Sequence, residues 1–156
     1  MSVRLADFND GDLVVRVLEQ SVRPPFAEER RDLAQYEASL LIREVTLLCR
    51  GKPWMYGRSL YPQGTIAQAF PEIEALGEYA LGKKLFEHPE LRRSAYQHCL
   101  YTAAHEMYAR MQAIETYPLT PTVWARRSSF LLNEHQIMLT EVFLPACIEA
   151  ISQTRN

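Results

Sequence analysis

Disulfide bridges, a membrane span and a charge imbalance are all missing from this sequence, and each absence excludes something. Its three cysteines, Cys49, Cys99 and Cys147, are odd in number and widely spaced, which suits reduced thiols better than a disulfide framework. No apolar run is long enough to cross a bilayer, because the C-terminal run is broken by Glu141 and Glu149. The opening "MSVRLADFNDGD" is polar and acidic and lacks the apolar core of a secretory signal. A cytoplasmic protein without stable membrane insertion is expected. A formal net charge of −2 leaves no footprint for nucleic acid, so none is expected as a partner. There is no Gly-rich phosphate loop and no nucleophile elbow, and "HEMYA" at His105 has Ala109 where a zinc-protease helix needs its second histidine. Neither a metal nor another cofactor is expected.

What remains is the composition of an ordinary globular protein, 47% hydrophobic and 23% charged over 156 residues, without repeats or low-complexity segments. One domain spanning residues 1–156 is expected. "LVVRVLE" from Leu13 follows the turn signal "NDGD" and reads as a strand. A connector with at most a helical turn or two after Pro25 leads to "LLIREVTLLC", which "RGKP" joins to the strand "WMYGRSLYP" as a hairpin. Short helical pieces occupy residues 65–86. The stretch 88–116 then reads as one long helix, since Leu100, Ala103, Ala104, Met107, Met111 and Ile114 recur at helical steps. "VWARRSSFLL", the turn "NEHQ" and "IMLTEVFLP" make a second hairpin, and a short helix is expected in the tail. Local hairpins with helices between them indicate an α+β fold on an antiparallel sheet.

The strands carry charges on faces otherwise suited to burial. Glu141 alternates with Ile137, Leu139 and Phe143, Arg43 with Leu41, Val45 and Leu47, Arg58 with Trp54, Tyr56 and Leu60, and Arg126 with Trp124, Ser128 and Phe130. An ionised carboxylate among hydrocarbon costs far more than a neutral polar group unless it is paired, hydrogen-bonded or protonated. The residues leave two readings open: internal ion pairs, or an arginine kept for a planar anionic ligand.

Three blocks, "LIREVTLLCRGKPWMYGRSLYP" (Leu41 to Pro62), "ALGKKLF" (Ala80 to Phe86) and "WARRSSFLLNEHQIMLTEVFLPA" (Trp124 to Ala146), resemble in order the corresponding blocks of bacterial chorismate lyase. That resemblance implies a single antiparallel sheet with helices packed on one side, enclosing an internal ligand site under helical flaps. It implies elimination of pyruvate from chorismate to give 4-hydroxybenzoate for ubiquinone synthesis, with no cofactor. By motif, Arg43 would bind the ring carboxylate, aided by the backbone N–H of Leu81. Glu141 would face the ring hydroxyl, orienting it or acting as acid or base, and Arg58 would be a second-tier ligand for the enolpyruvyl carboxylate. Two departures stand out. The chain begins at or inside a flap motif, where Met1 would occupy the hydrophobic position, and the stretch from Phe86 to Trp124 is long, its helix standing either as a replacement cover or as an interface. The alternatives are a non-catalytic aromatic-acid-binding module, like the effector domains of some transcription regulators, and a degenerate relative acting through protein contacts. A monomer is favoured.

Overall fold

Runs rich in β-branched and aromatic residues become strands, as alternation along them requires. The computed structural model describes residues 13–33, 38–68, 71–78, 81–85 and 87–155. Its strands are β1 (Leu13–Arg23), β2 (Leu40–Cys49), β3 (Lys52–Tyr61), β4 (Arg92–Arg93), β5 (Gln97–Tyr101), β6 (Val123–Leu132) and β7 (His135–Phe143). They form one sheet in the order β1-β2-β3-β7-β6, with β4 and β5 both on the outer edge of β6. Every pairing is antiparallel. At the β2–β3 turn Arg50 and Gly51 take φ values of 50° and 75°, the left-handed pair that a two-residue hairpin needs. The two sequence-predicted hairpins are thus present, and β3 against β7 welds them together.

Around the sheet lie α1 (Ala27–Arg30), α2 (Gln63–Gln68), a 3-10 turn (Pro71–Ala75), α3 (Leu81–Leu85), α4 (Glu106–Ile114) and α5 (Pro145–Thr154). The expected single antiparallel sheet is there, and helical segments close off both its faces. On one face Tyr56, Ala125 and Val142 pack with Met107, Tyr108 and Met111 of α4. On the other, Leu41, Tyr61, Phe130 and Ile137 pack with Ile66 of α2, Ile73 of the 3-10 turn and Leu85 of α3. At one end of the sheet, Cys147 of α5 packs with Cys49 and Trp54.

The long helix expected over residues 88–116 is not one element. Its first part forms β4 and β5, and only Glu106–Ile114 is helical. The apolar spacing spans both pieces by coincidence: Leu100 is 40% exposed on β5, whereas Met107 and Met111 are fully buried. Pairing with the free edge of β6 outweighs the helical preference of this stretch. The helix proper starts where the His105 ring accepts a hydrogen bond from the Thr102 amide at 3.0 Å and stops before Tyr117 and Pro118. With Met107, Tyr108 and Met111 in the core, it packs on the face of the sheet opposite α2 and α3.

Candidate active site

The odd-numbered residues of β7 face the α2–α3 side of the sheet, and register carries that face across its neighbours. Arg43, Ser59, Leu139 and Ser128 lie side by side in one row. Val45, Gly57, Glu141 and Arg126 make the next row on the same face. Two residues along a strand and two strands across, Arg43 and Glu141 have Cα atoms about 12 Å apart by sheet geometry.

Above these rows lies a cavity of about 280 Å³. Val15 of β1, Arg43, Val45 and Leu47 of β2, Met55, Gly57 and Ser59 of β3, Leu139 and Glu141 of β7, and Arg126, Ser128 and Phe130 of β6 line it from the sheet. Leu81 of α3, Arg93 of β4 and Tyr96 of the β4–β5 link line the rest. A dry cavity of about 150 Å³ holds one benzene ring, so this one accommodates a substituted ring. Its floor is open because Gly57 has no side chain. A Cβ there would come within 3.1 Å of Val45 Cγ2.

Arg43 is 3% exposed and donates from Nη2 to the Gly77 carbonyl at 2.7 Å. Gly77 follows the 3-10 turn with φ 57°, a conformation that costs glycine nothing. The contact ties the sheet floor to the segment leading into α3. Burial draws the Arg43 guanidinium below its ordinary pKa, against the opposing influence of Tyr61. Burial also pushes the Tyr61 hydroxyl up to about 12, against its hydrogen bond to Ser59 and the charge of Arg43, and it donates to Ser59 Oγ at 2.8 Å.

At the other end Arg126 Nε donates to Glu141 Oε2 at 2.5 Å. The Arg126 guanidinium lies 4.4 Å from the Tyr96 ring centroid and 5.5 Å from that of Phe143. Burial disfavours its charge, and the Glu141 carboxylate more than offsets that, so its pKa stands above the ordinary value. Arg93 covers Tyr96 from 4.1 Å. The partner of Glu141 that alternation left undecided is therefore Arg126.

Of the residues singled out from the sequence, Arg43, Leu81 and Glu141 come together at this cavity. Arg58 does not line it. It lies on the opposite face, fully buried, where Nε donates to Glu29 Oε1 at 2.7 Å, Nη2 to Glu29 Oε2 at 3.1 Å and Nη1 to Glu44 Oε1 at 3.1 Å. Phe26 sits 3.8 Å from its guanidinium carbon. The reason is a β-bulge: Cys49 pairs with Lys52 and Leu48 with Pro53, but Leu47 pairs with Met55, leaving Trp54 as an extra residue. One extra residue turns every later side chain of β3 to the other face, so Arg43 faces Ser59 instead of Arg58. Met1 lies outside the described residues.

Arg126, Arg93 and Tyr96 also line the cavity, and the sequence does not mark them as site residues. Alternation places Arg126 on an apolar face, but only its register with Glu141 brings it into the site. Arg93 and Tyr96 fall in the stretch that read as helix, where no signal pointed to a rim.

Fold and site together define a class: an antiparallel α+β domain built around a ring-sized cavity with charged side chains at both ends. Comparison makes the assignment narrower. The chorismate lyase family model matches residues 1–152, and the chain belongs to that family. It is 34% identical to "Probable chorismate pyruvate-lyase" of Pseudomonas putida, over 96% of this chain and 78% of that protein. It is 32% identical to "Probable chorismate pyruvate-lyase" of Psychromonas ingrahamii over 79% of this chain, and 31% to "Chorismate pyruvate-lyase" of Pectobacterium atrosepticum over 80%. The chain spans about 61% and 59% of the length of those last two relatives. Among solved structures, the PhnF C-terminal domain matches with a TM-score of 0.62 at 14% identity, covering 84% of this chain and 82% of that one. A transcriptional regulator of the GntR family from Bacillus cereus matches with a TM-score of 0.58 at 8% identity, covering 87% and 94%. These two share the fold.

Proposed function

We propose that this chain is a chorismate pyruvate-lyase, releasing pyruvate and 4-hydroxybenzoate, the aromatic acid that enters ubiquinone synthesis in the cytoplasm. The observation that carries this is the cavity itself: in a member of the chorismate lyase family, a buried arginine and a buried-face carboxylate stand at opposite ends of a ring-sized space.

Arg43 holds the ring carboxylate, and its charge survives burial because a guanidinium keeps its proton throughout the working pH range. The backbone N–H of Leu81, at the first turn of α3, donates to the same group; first-turn N–H groups have no partner within their own helix. Glu141 accepts the ring hydroxyl through the oxygen that Arg126 does not use. With both ends held, the enolpyruvyl C–O bond breaks and the ring loses the hydrogen on its hydroxyl-bearing carbon. The methylene carbon of the departing enol takes up a proton and becomes the methyl group of pyruvate, while its oxygen becomes the ketone. Atoms and electrons balance without water or a redox partner. The protein's part is orientation and neutralisation of charge at the two ends of the ring.

The test is to incubate the folded protein with chorismate and follow both products. Equimolar 4-hydroxybenzoate and pyruvate are expected, with kcat/KM for Arg43→Ala lower by about 100-fold, the scale of a lost buried charge-assisted contact. Folded wild-type protein without turnover above the uncatalysed background rejects the activity.

A further inference from the structure

We infer that Arg126 is the anchor for the second carboxylate of the substrate, the one on the enolpyruvyl ether, in addition to its contact with Glu141. This rests on the proposed reading of the cavity, and it gives the ether carboxylate a different partner from the one the sequence suggested.

Four observations carry it. First, Arg58 is committed on the far face to Glu29 and Glu44, so the cation that serves a second carboxylate has to come from elsewhere in the lining. Second, Arg126 uses Nε on Glu141 Oε2, while its two terminal amino groups and the other Glu141 oxygen have no partner among the described residues. None of these atoms is sealed from solvent and left unpaired; with side chains 13% and 17% exposed, both residues open into the cavity they line. Third, the Tyr96 and Phe143 rings lie against the guanidinium. Aromatic contact of this kind restricts the plane of the guanidinium and leaves its N–H groups pointing outward in that plane, the geometry that grips a carboxylate bidentately.

The fourth observation is register. On chorismate the ether stands on the ring carbon next to the one bearing the hydroxyl. A hydroxyl on Glu141 therefore puts the ether substituent beside Glu141, over one of its two register neighbours. One neighbour, Gly57, has no side chain. The other is Arg126. A substrate lying with its ring over Gly57 brings its ether carboxylate to Arg126. The product has lost that group, so Arg126 distinguishes the dianionic substrate from the monoanionic product, and losing pyruvate removes one of the two charge contacts that hold the ring in place.

Two stable probes test this without turnover: 3-carboxymethoxy-4-hydroxybenzoate, which carries an ether carboxylate next to the hydroxyl, and its amide, 3-carbamoylmethoxy-4-hydroxybenzoate, which has the same shape without the charge. Both are titrated calorimetrically into wild type, Arg126→Gln, Glu141→Gln, the double variant and Arg93→Gln, each checked for folding by circular dichroism. The acid is expected to bind wild type and Glu141→Gln about tenfold or more tightly than the amide, a difference of one charged contact. The preference should fall to about twofold or less in both proteins carrying Arg126→Gln. A preference that survives Arg126→Gln, that disappears in Arg93→Gln instead, or that depends on Glu141 being charged overturns the assignment. So does folded wild type that binds the two probes equally or binds neither. Chorismate turnover without the preference would reject this inference and leave the activity standing; the preference without turnover would do the reverse.

Discussion

Gly57 shows how little separates a floor from an obstruction. Its row neighbours are Val45 on one side and Glu141 on the other, and the 3.1 Å approach of a Cβ to Val45 Cγ2 is tighter than ordinary packing. Gly57→Ala should therefore weaken 4-hydroxybenzoate binding by about tenfold, through lost room and not lost charge. Titration calorimetry on protein of unchanged circular dichroism would check this; unaltered affinity would place the ring elsewhere in the cavity. The same row explains what could be read from the sequence at this scale. Alternation within a strand put Arg43 and Glu141 on buried-type faces, and both line the cavity. Alternation says nothing about which faces of two strands coincide. That depends on register, and the single extra residue at Trp54 sends Arg58 to the opposite side of the sheet.

Between elements, the face opposite the cavity is held by charge. Glu44, fully buried, accepts hydrogen bonds from Arg23 at 2.8 Å, Tyr56 at 2.5 Å, Arg58 at 3.1 Å and Arg110 at 2.7 and 2.9 Å. It joins β1, β3 and α4 to β2, directly behind Arg43. Burial alone would raise its pKa, but the hydrogen bonds from Arg110 and Tyr56 and the charges of Arg58 and Arg110 prevail and hold it at about 2. A carboxyl with a lower pKa folded than unfolded stabilises the fold above its unfolded value, and that contribution is lost as pH falls through the folded one. Resistance to urea should thus decline from near pH 4.5 towards pH 2, and Glu44→Ala should both flatten that decline and cost about 3–5 kcal/mol at neutral pH by leaving buried guanidinium groups undercompensated. A variant as stable as wild type across this range would show that the cluster holds nothing together. Glu44 is visible in "IREVT" as the residue facing away from Arg43, but its partners come from β1, α4 and β3, and no local pattern announces such a meeting. β4 and β5 were hidden for a related reason: a strand that forms only because an edge of β6 awaits it has a weak signature of its own.

Across the whole molecule, helical segments pack against both faces of the sheet, and among the described residues no helix is long and apolar enough to cross a membrane. The packing of α5 on the sheet has a chemical consequence. Cys49 and Cys147 are 2% and 0% exposed, and burial pushes the Cys147 thiol up to about 11, whereas Cys99 on β5 is only partly buried. A thiol reagent on native protein should label Cys99 first and reach the other two only after unfolding; equal labelling of all three would mean that the sheet end opens in the native state. The antiparallel α+β architecture was legible from the hairpin spacing, because local pairing and alternation both act within short stretches. The cavity was not, since it depends on rows assembled from five strands and on lining drawn from three further segments. A crystal structure with 4-hydroxybenzoate decides whether this cavity holds the aromatic acid end to end. The predicted result is the carboxylate on Arg43 and the hydroxyl on Glu141, with the ring over Gly57 and Arg58 untouched on the far face. A ligand bound to Arg58, or in the reverse orientation with its carboxylate at Arg126, would contradict it.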